Sequence, residues 1–95
     1  MLVCRFQVHC RPEYTEEMAR RIAAVQAPSL ALEGCVHFDV TRSLTDPDTL
    51  VVFEVFEHQT AFDQQNAQSE VAAVLALVAE GALTRDLEWT VWETA

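Results

Sequence analysis

Lysine is absent from this chain of 95 residues, and apart from three histidines its only basic side chains are six arginines, set against fifteen aspartates and glutamates. The formal net charge of −9 is spread along the sequence. Phosphate backbones require a basic face, so nucleic acid and anionic membrane are excluded as partners and repelled at long range. Solubility is sufficient reason for the acidity. Cys4, Cys10 and Cys35 are odd in number and show no C-x-x-C spacing, which points away from both a disulfide framework and a zinc site. His9, His37 and His58 stand without a close carboxylate cluster, so no metal centre is expected from them either. No apolar run approaches the roughly 20 residues of a membrane span, and no basic stretch followed by an apolar one and a cleavage site opens the chain. A cytoplasmic location is the expectation. G-x-S-x-G, P-loop and dinucleotide fingerprints are missing, which removes support for hydrolysis, nucleotide binding and nicotinamide chemistry. Without repeats, low-complexity segments or linkers, one domain over residues 1–95 is expected, and a hydrophobic content of 51% is ample for its core.

What is present alternates. Leu2, Cys4, Phe6 and Val8 share one face of a first strand, and Val3, Arg5, Gln7 and His9 share the other. Pro12 suits a helix start, with Glu13, Glu16 and Glu17 early and Arg20 and Arg21 late, in the sense that the helix dipole favours. Met18, Ile22 and Val25 form its buried stripe, and Pro28 is expected to end or kink this helix near residue 27. Gly34 leads into a second strand in which Val36, Phe38 and Val40 oppose Cys35, His37, Asp39 and Thr41. Asp46-Pro47-Asp48 turns the chain into a third strand, Leu50 to Glu57, apolar on both faces except at Glu54 and Glu57. Thr60 to Asp63 has capping-box spacing for a short helix. A second helix is predicted from about Ser69 to Ala82, with Val71, Val74, Leu75 and Val78 on its apolar side. Leu83 to Thr94 is the last strand, with Leu87, Trp89 and Val91 opposing Glu88, Thr90 and Trp92.

The order βαββαβ is that of an α+β, ferredoxin-like split βαβ fold, a four-stranded antiparallel sheet with helices on one face. If the helices cover Phe6, Val8, Phe38, Phe53, Val55 and Trp89, then Val3, Leu50, Val52, Phe56 and Trp92 remain on the open face. So large an apolar patch calls for cover, and a second copy of the same sheet is the simplest, giving a face-to-face homodimer. Arg5, Gln7, His9, His37, Asp39 and Glu54, placed on the same face, then pair with each other, with water or with the partner chain.

The hydrophobic strand before Arg11-Pro12, Gly34-Cys35 entering a strand with Phe38-Asp39, the run Val52-Phe53-Glu54-Val55-Phe56-Glu57, and Ala61-Phe62 together resemble the antibiotic biosynthesis monooxygenase family over nearly the whole chain. The resemblance implies a dimeric α/β barrel. It also implies oxidation of polycyclic phenols by molecular oxygen without metal or flavin, while relatives on the same fold degrade haem or isomerise small metabolites. In the segment resembling A-F-x-x-H-x-x-S-x-H, the two histidine places fall on Gln65 and Glu70. The residues that serve haem degradation fall near Phe6, Phe56 and Val74, none of which can play those parts.

Glu54, which matches the family glutamate, and Glu70 are therefore the candidate catalytic residues. Gln65 and the aromatic walls Phe6, Phe53, Phe62 and Trp89 are the candidate substrate contacts. Glu54 has a structural reading as well, pairing with Arg5, His9 or Arg42 to fix the sheet and dimer. His37 and Asp39 are read as interface residues, His9 and His58 as solvated. The leading expectation is a cofactor-independent oxygenase for a small hydrophobic, phenolic substrate. A non-catalytic dimer that binds a small metabolite or serves as a structural module stands beside it, as does an isomerase.

Overall fold

The computed structural model describes residues 1–94; Ala95, the last residue of the expected domain, lies outside the described residues. Strand β1 (Leu2–His9) is followed by a 3-10 turn at Pro12–Tyr14 and helices α1 (Thr15–Ala23) and α2 (Gln26–Leu30). Strands β2 (Cys35–Arg42) and β3 (Thr49–Phe56) come next, then helices α3 (Gln59–Asn66) and α4 (Ser69–Ala79) and strand β4 (Glu88–Glu93). The strands form one sheet in the order β2-β3-β1-β4, and every neighbouring pair is antiparallel. This is the α+β, ferredoxin-like arrangement, with the first and third strands at the centre. Among the described residues, no helix is long and apolar enough to cross a membrane.

The helix-side face of the sheet carries the core. Cys4, Val8, Leu50, Val52 and Phe56 are buried there, and Met18, Ile22 and Val25 meet them from α1 and the bend after it. This overturns the expected phase of β3. Leu50, Val52 and Phe56 face the helices rather than a partner, and Phe53 faces outward, 40% exposed, with Val51 and Val55 on its side. A strand that is apolar on both faces has no alternation from which to read its phase. The phase is set by pairing, since Glu54 stands opposite Cys4 of β1 and Phe38 of β2, both of which point inward. Val3 and Trp92 do lie on the open face, paired with each other across β1 and β4.

Local chemistry explains the other departures. A bulge between Cys35 and His37 breaks the alternation of β2, so Cys35 packs beside the Leu2–Phe56 cluster while Val36 is exposed. Pro28 does not end a helix near residue 27. It sits in the first turn of α2, and the helical path breaks earlier, at Ala24–Val25, because proline has no N–H to donate to the Ala24 carbonyl four residues before it and its ring crowds that oxygen. The cap of α3 is His58, whose Nδ1 accepts from the Ala61 amide at 3.2 Å, rather than Thr60. Helix α4 ends at Ala79, because Gly81 at φ 94° turns the chain away.

The open face pairs its own polar groups. With its amide oriented to satisfy both neighbours, Gln7 donates to Glu88 Oε2 at 2.9 Å and accepts from Arg5 Nη1 at 3.0 Å. His9, expected to be solvated, is buried at the end of this face. Its Nδ1 lies 2.9 Å from Thr49 Oγ1 and 3.1 Å from Arg85 Nη2.

Candidate functional site

A cavity of about 200 Å³ lies between the helices and the sheet. Its floor is Phe6 and Val8 of β1, Phe38 of β2 and Val52 of β3, inward by the alternation just described. Ile22 and Val25 close one side, and Val71, Val74 and Leu75 of α4 close the other. Leu87, in the loop before β4, and exposed Asn66 at the end of α3 complete the lining. Nearly all of this wall is apolar, and the exceptions are Glu54, Gln65 and Asn66.

Glu54 and Gln65 are each only 3% exposed. Gln65 Nε2 donates to Glu54 Oε1 at 2.5 Å, which leaves Glu54 Oε2 and Gln65 Oε1 buried without a partner. The expected ion pair of Glu54 does not form. Arg42 instead binds Glu16 at 2.7 Å, Arg5 serves Gln7, and His9 is held by Thr49. A carboxylate withdrawn from water without a cation has its proton affinity raised. Burial accordingly pushes the Glu54 carboxyl from 4.5 up to about 7, with the Gln65 hydrogen bond pulling weakly the other way. Its neighbours on the sheet, Cys4 and Cys35, carry no positive charge, and burial and then the Glu54 charge push the Cys4 thiol up to about 11 and raise the Cys35 thiol in the same order. A carboxyl balanced near neutrality can take up or give a proton at working pH.

Among the candidates, Phe6, Glu54 and Gln65 are thus brought together. Glu70 is not: it lies in the first turn of α4, half-buried, where Ser69 Oγ donates to its Oε2 at 3.2 Å, outside the cavity lining. Phe53 points to the opposite face. Phe62 packs edge-on against Phe56 at 5.4 Å, behind the cavity rather than in its wall. Trp89 is on the helix side and stacks on Phe6 at 6.4 Å, but β4 is an edge strand and the indole is 61% exposed. Asn66, at a helix end, escaped the sequence reading, and Leu87, expected in a last strand from Leu83, lies instead in the loop before β4, which starts only at Glu88. Among the described residues, no group of three or more His, Cys, Asp or Glu is placed to hold a metal ion.

Residues 1–77 match the antibiotic biosynthesis monooxygenase family. The chain belongs to that family. Solved structures agree in fold: one from Mycobacterium tuberculosis is 24% identical with a TM-score of 0.87, and the match covers 99% of this chain and 94% of that one. A conserved protein from Methanosarcina mazei is 19% identical with a TM-score of 0.86, covering 99% and 92%. A structure described as an antibiotic biosynthesis monooxygenase is 17% identical with a TM-score of 0.86, covering 100% and 99%. No curated protein matches the sequence.

Proposed function

We propose that this member of the antibiotic biosynthesis monooxygenase family is a small oxygenase that oxidises an apolar phenolic compound with molecular oxygen, using Glu54 as its proton acceptor. The observation that carries this reading is one uncompensated carboxyl, with a pKa near 7, at the head of an apolar cavity. A substrate hydroxyl or acidic C–H that donates its proton to Glu54 Oε2 leaves an electron-rich anion in a site with little water. The anion passes an electron to oxygen, and the two radicals combine into a carbon-bound peroxide. Loss of water from that peroxide leaves a carbonyl. One oxygen atom enters the product and the other leaves as water, whose two hydrogens are the proton that Glu54 accepts and returns to the peroxide and the hydrogen remaining on the oxygenated carbon. The protein contributes orientation, a dry wall and one proton site.

The reading extends to a homodimer through the open sheet face, with Val3, Phe53, Val55 and Trp92 at its centre. His37 lies edge-on to Phe53 at 5.8 Å and adds to the same patch. Free thiols at Cys4, Cys10 and Cys35 support a reducing, cytoplasmic setting.

The test is oxygen consumption by the purified protein with a panel of phenols and anthrones, beside Glu54→Gln. Uptake that requires folded protein and falls by about a hundredfold in the variant is the expected result, the usual scale for loss of a general base. Uptake that is unchanged in Glu54→Gln removes Glu54 from the mechanism. No uptake across the panel shifts the reading to a binding module, which Gln65 in place of a histidine favours.

A further inference from the structure

The shape and the hydrogen-bonding inventory of the cavity define its ligand more narrowly than the family does. Its volume of about 200 Å³ is below the roughly 300–1,000 Å³ of pockets for drug-sized molecules. It equals the space of about seven waters, at roughly 30 Å³ each. One ring or two fused rings fill it. Phe6, Phe38, Val52 and Val74 offer such a ring system no polar contact, and Asn66 is exposed at the end of α3, so orientation of the buried part falls to the unpaired oxygens of Glu54 and Gln65.

Gln65 is the informative member of that pair. An amide ordinarily offers a donor and an acceptor. Here one N–H of Nε2 is committed to Glu54 Oε1, and the atom left buried without a partner is the oxygen Oε1. Glu54, once ionised, also presents only an acceptor, Oε2. A ketone or ether cannot satisfy either of these two unpaired acceptors, and an anion is repelled by the ionised carboxyl. Each buried acceptor left unmet costs on the order of 1–3 kcal/mol, a penalty that a ligand with matching donors removes.

Building on the proposed site, we infer that the cavity selects an uncharged one- or two-ring compound with two hydrogen-bond donors on one edge, and that Gln65 sets this preference by presenting its oxygen beside that of Glu54. The preference depends on the charge of Glu54. Below about pH 7 the carboxyl is protonated, and one of the two acceptors becomes a donor. The titratable groups that face it are the Cys4 thiol from β1 and the Cys35 thiol from β2, both held protonated through this range. The cavity residues of α3 and α4 are Gln65, Asn66, Val71, Val74 and Leu75, none of which titrates.

Binding of 2,3-dihydroxynaphthalene, 2-naphthol and 2,3-dimethoxynaphthalene is measured calorimetrically without oxygen, at about pH 8 and about pH 5.5. The diol is expected to bind about tenfold more tightly than 2-naphthol at the higher pH, as one added charge-assisted or neutral hydrogen bond gives. The diether is expected to bind more weakly than 2-naphthol. The preference shrinks to roughly threefold or less at the lower pH and in Gln65→Met, while Val74→Trp, which fills the cavity, abolishes binding of all three. Equal affinity of the diol and 2-naphthol for the unmodified protein, or no binding of either, overturns the inference. So does a preference that does not change with pH, an arm that needs no variant to fold. If the preference holds but admitting air gives no oxygen uptake, the inference stands and the oxygenase reading falls. If the diol and 2-naphthol bind alike while phenols are oxidised, the inference falls and the oxygenase reading stands.

Discussion

Gln65 Nε2 sits 2.5 Å from Glu54 Oε1, and among the described residues this is the one side-chain hydrogen bond that either residue makes. It ties α3 to β3 across the head of the cavity. It also leaves a buried carboxyl with a raised proton affinity, and that has a stability consequence of definite sign. The folded chain holds the Glu54 proton up to about 7, and the unfolded chain releases it near 4.5. Folding is therefore favoured below 4.5 relative to neutrality, loses stability as pH rises from 4.5 through 7, and is level above that.

The loss across that window is about 3.5 kcal/mol at roughly 1.4 kcal/mol per pH unit. Surface carboxyls with hydrogen-bonded partners, exposed Glu16 and Asp46 and half-buried Glu17, are lowered and act in the opposite sense at more acidic pH. Glu54→Gln isolates the one group. In urea unfolding at about pH 5 and pH 8, the variant gains on the wild type by about 2.5 kcal/mol between the two conditions. Equal differences at both would show that Glu54 does not titrate in this range.

Gln65→Met keeps volume and removes the donor. Because the Gln65 hydrogen bond favours the charged carboxylate, its loss raises the Glu54 midpoint further. Carbon NMR of the Glu54 carboxyl reads this directly, and an unchanged or lowered midpoint refutes the pairing. The variant costs about 1–3 kcal/mol at alkaline pH, where a charge is left without its donor, and less where Glu54 is protonated.

How far these features are legible in the sequence depends on whether a residue carries a pattern. Leu2 to His9 alternates cleanly, and its inward and outward sets are those of the fold. Leu50 to Phe56 is apolar at every position but Glu54, and hydrophobicity alone cannot say which parity faces the helices. One chemical clue was available. Placing Glu54 beside Gln65 forces Leu50, Val52 and Phe56, which share its parity, to face inward as well. Val71 and Val74 are readable as the apolar side of a helix, but that pattern does not reveal that they stop short of the sheet and leave a cavity. The bulge at Cys35–His37 and the loop position of Leu87 follow from register and chain path, which no local pattern encodes.

The corrected phase of β3 sharpens the dimer proposal. Phe53 and Val55 now join Val3 and Trp92 in one cross-strand patch, because Val3 pairs with both Val55 and Trp92. The expected assembly has twice the 10.7 kDa mass of one chain by light scattering. A single charge in the patch, Val55→Asp, should release monomers, since an unpaired buried charge at an interface costs several kcal/mol, roughly 3–5. A wild-type monomer at micromolar concentration, or a Val55→Asp chain that remains a dimer, overturns the proposed interface.

Two glycines with the same backbone angle separate conformational strain from steric conflict. Gly34 and Gly81 both have φ 94°, where a Cβ is disfavoured, so alanine at either costs about 1–2 kcal/mol on that account alone. A Cβ at Gly81 meets nothing within 4 Å. At Gly34 it would come within 2.9 Å of His58 Nε2 and 3.1 Å of the Ala61 Cβ, and the His58 ring is the one whose Nδ1 caps α3. Gly34→Ala therefore strains the backbone and also pushes the cap away from the Ala61 amide, adding the roughly 1 kcal/mol of a lost helix cap. Urea unfolding should show Gly34→Ala losing about 2–3 kcal/mol and Gly81→Ala about 1–2 kcal/mol. His58→Ala should make a subsequent Gly34→Ala cheaper, because the ring that the new methyl would strike is gone. Equal losses for the two glycines would mean that His58 yields freely and that the helix start does not depend on the close approach at Gly34.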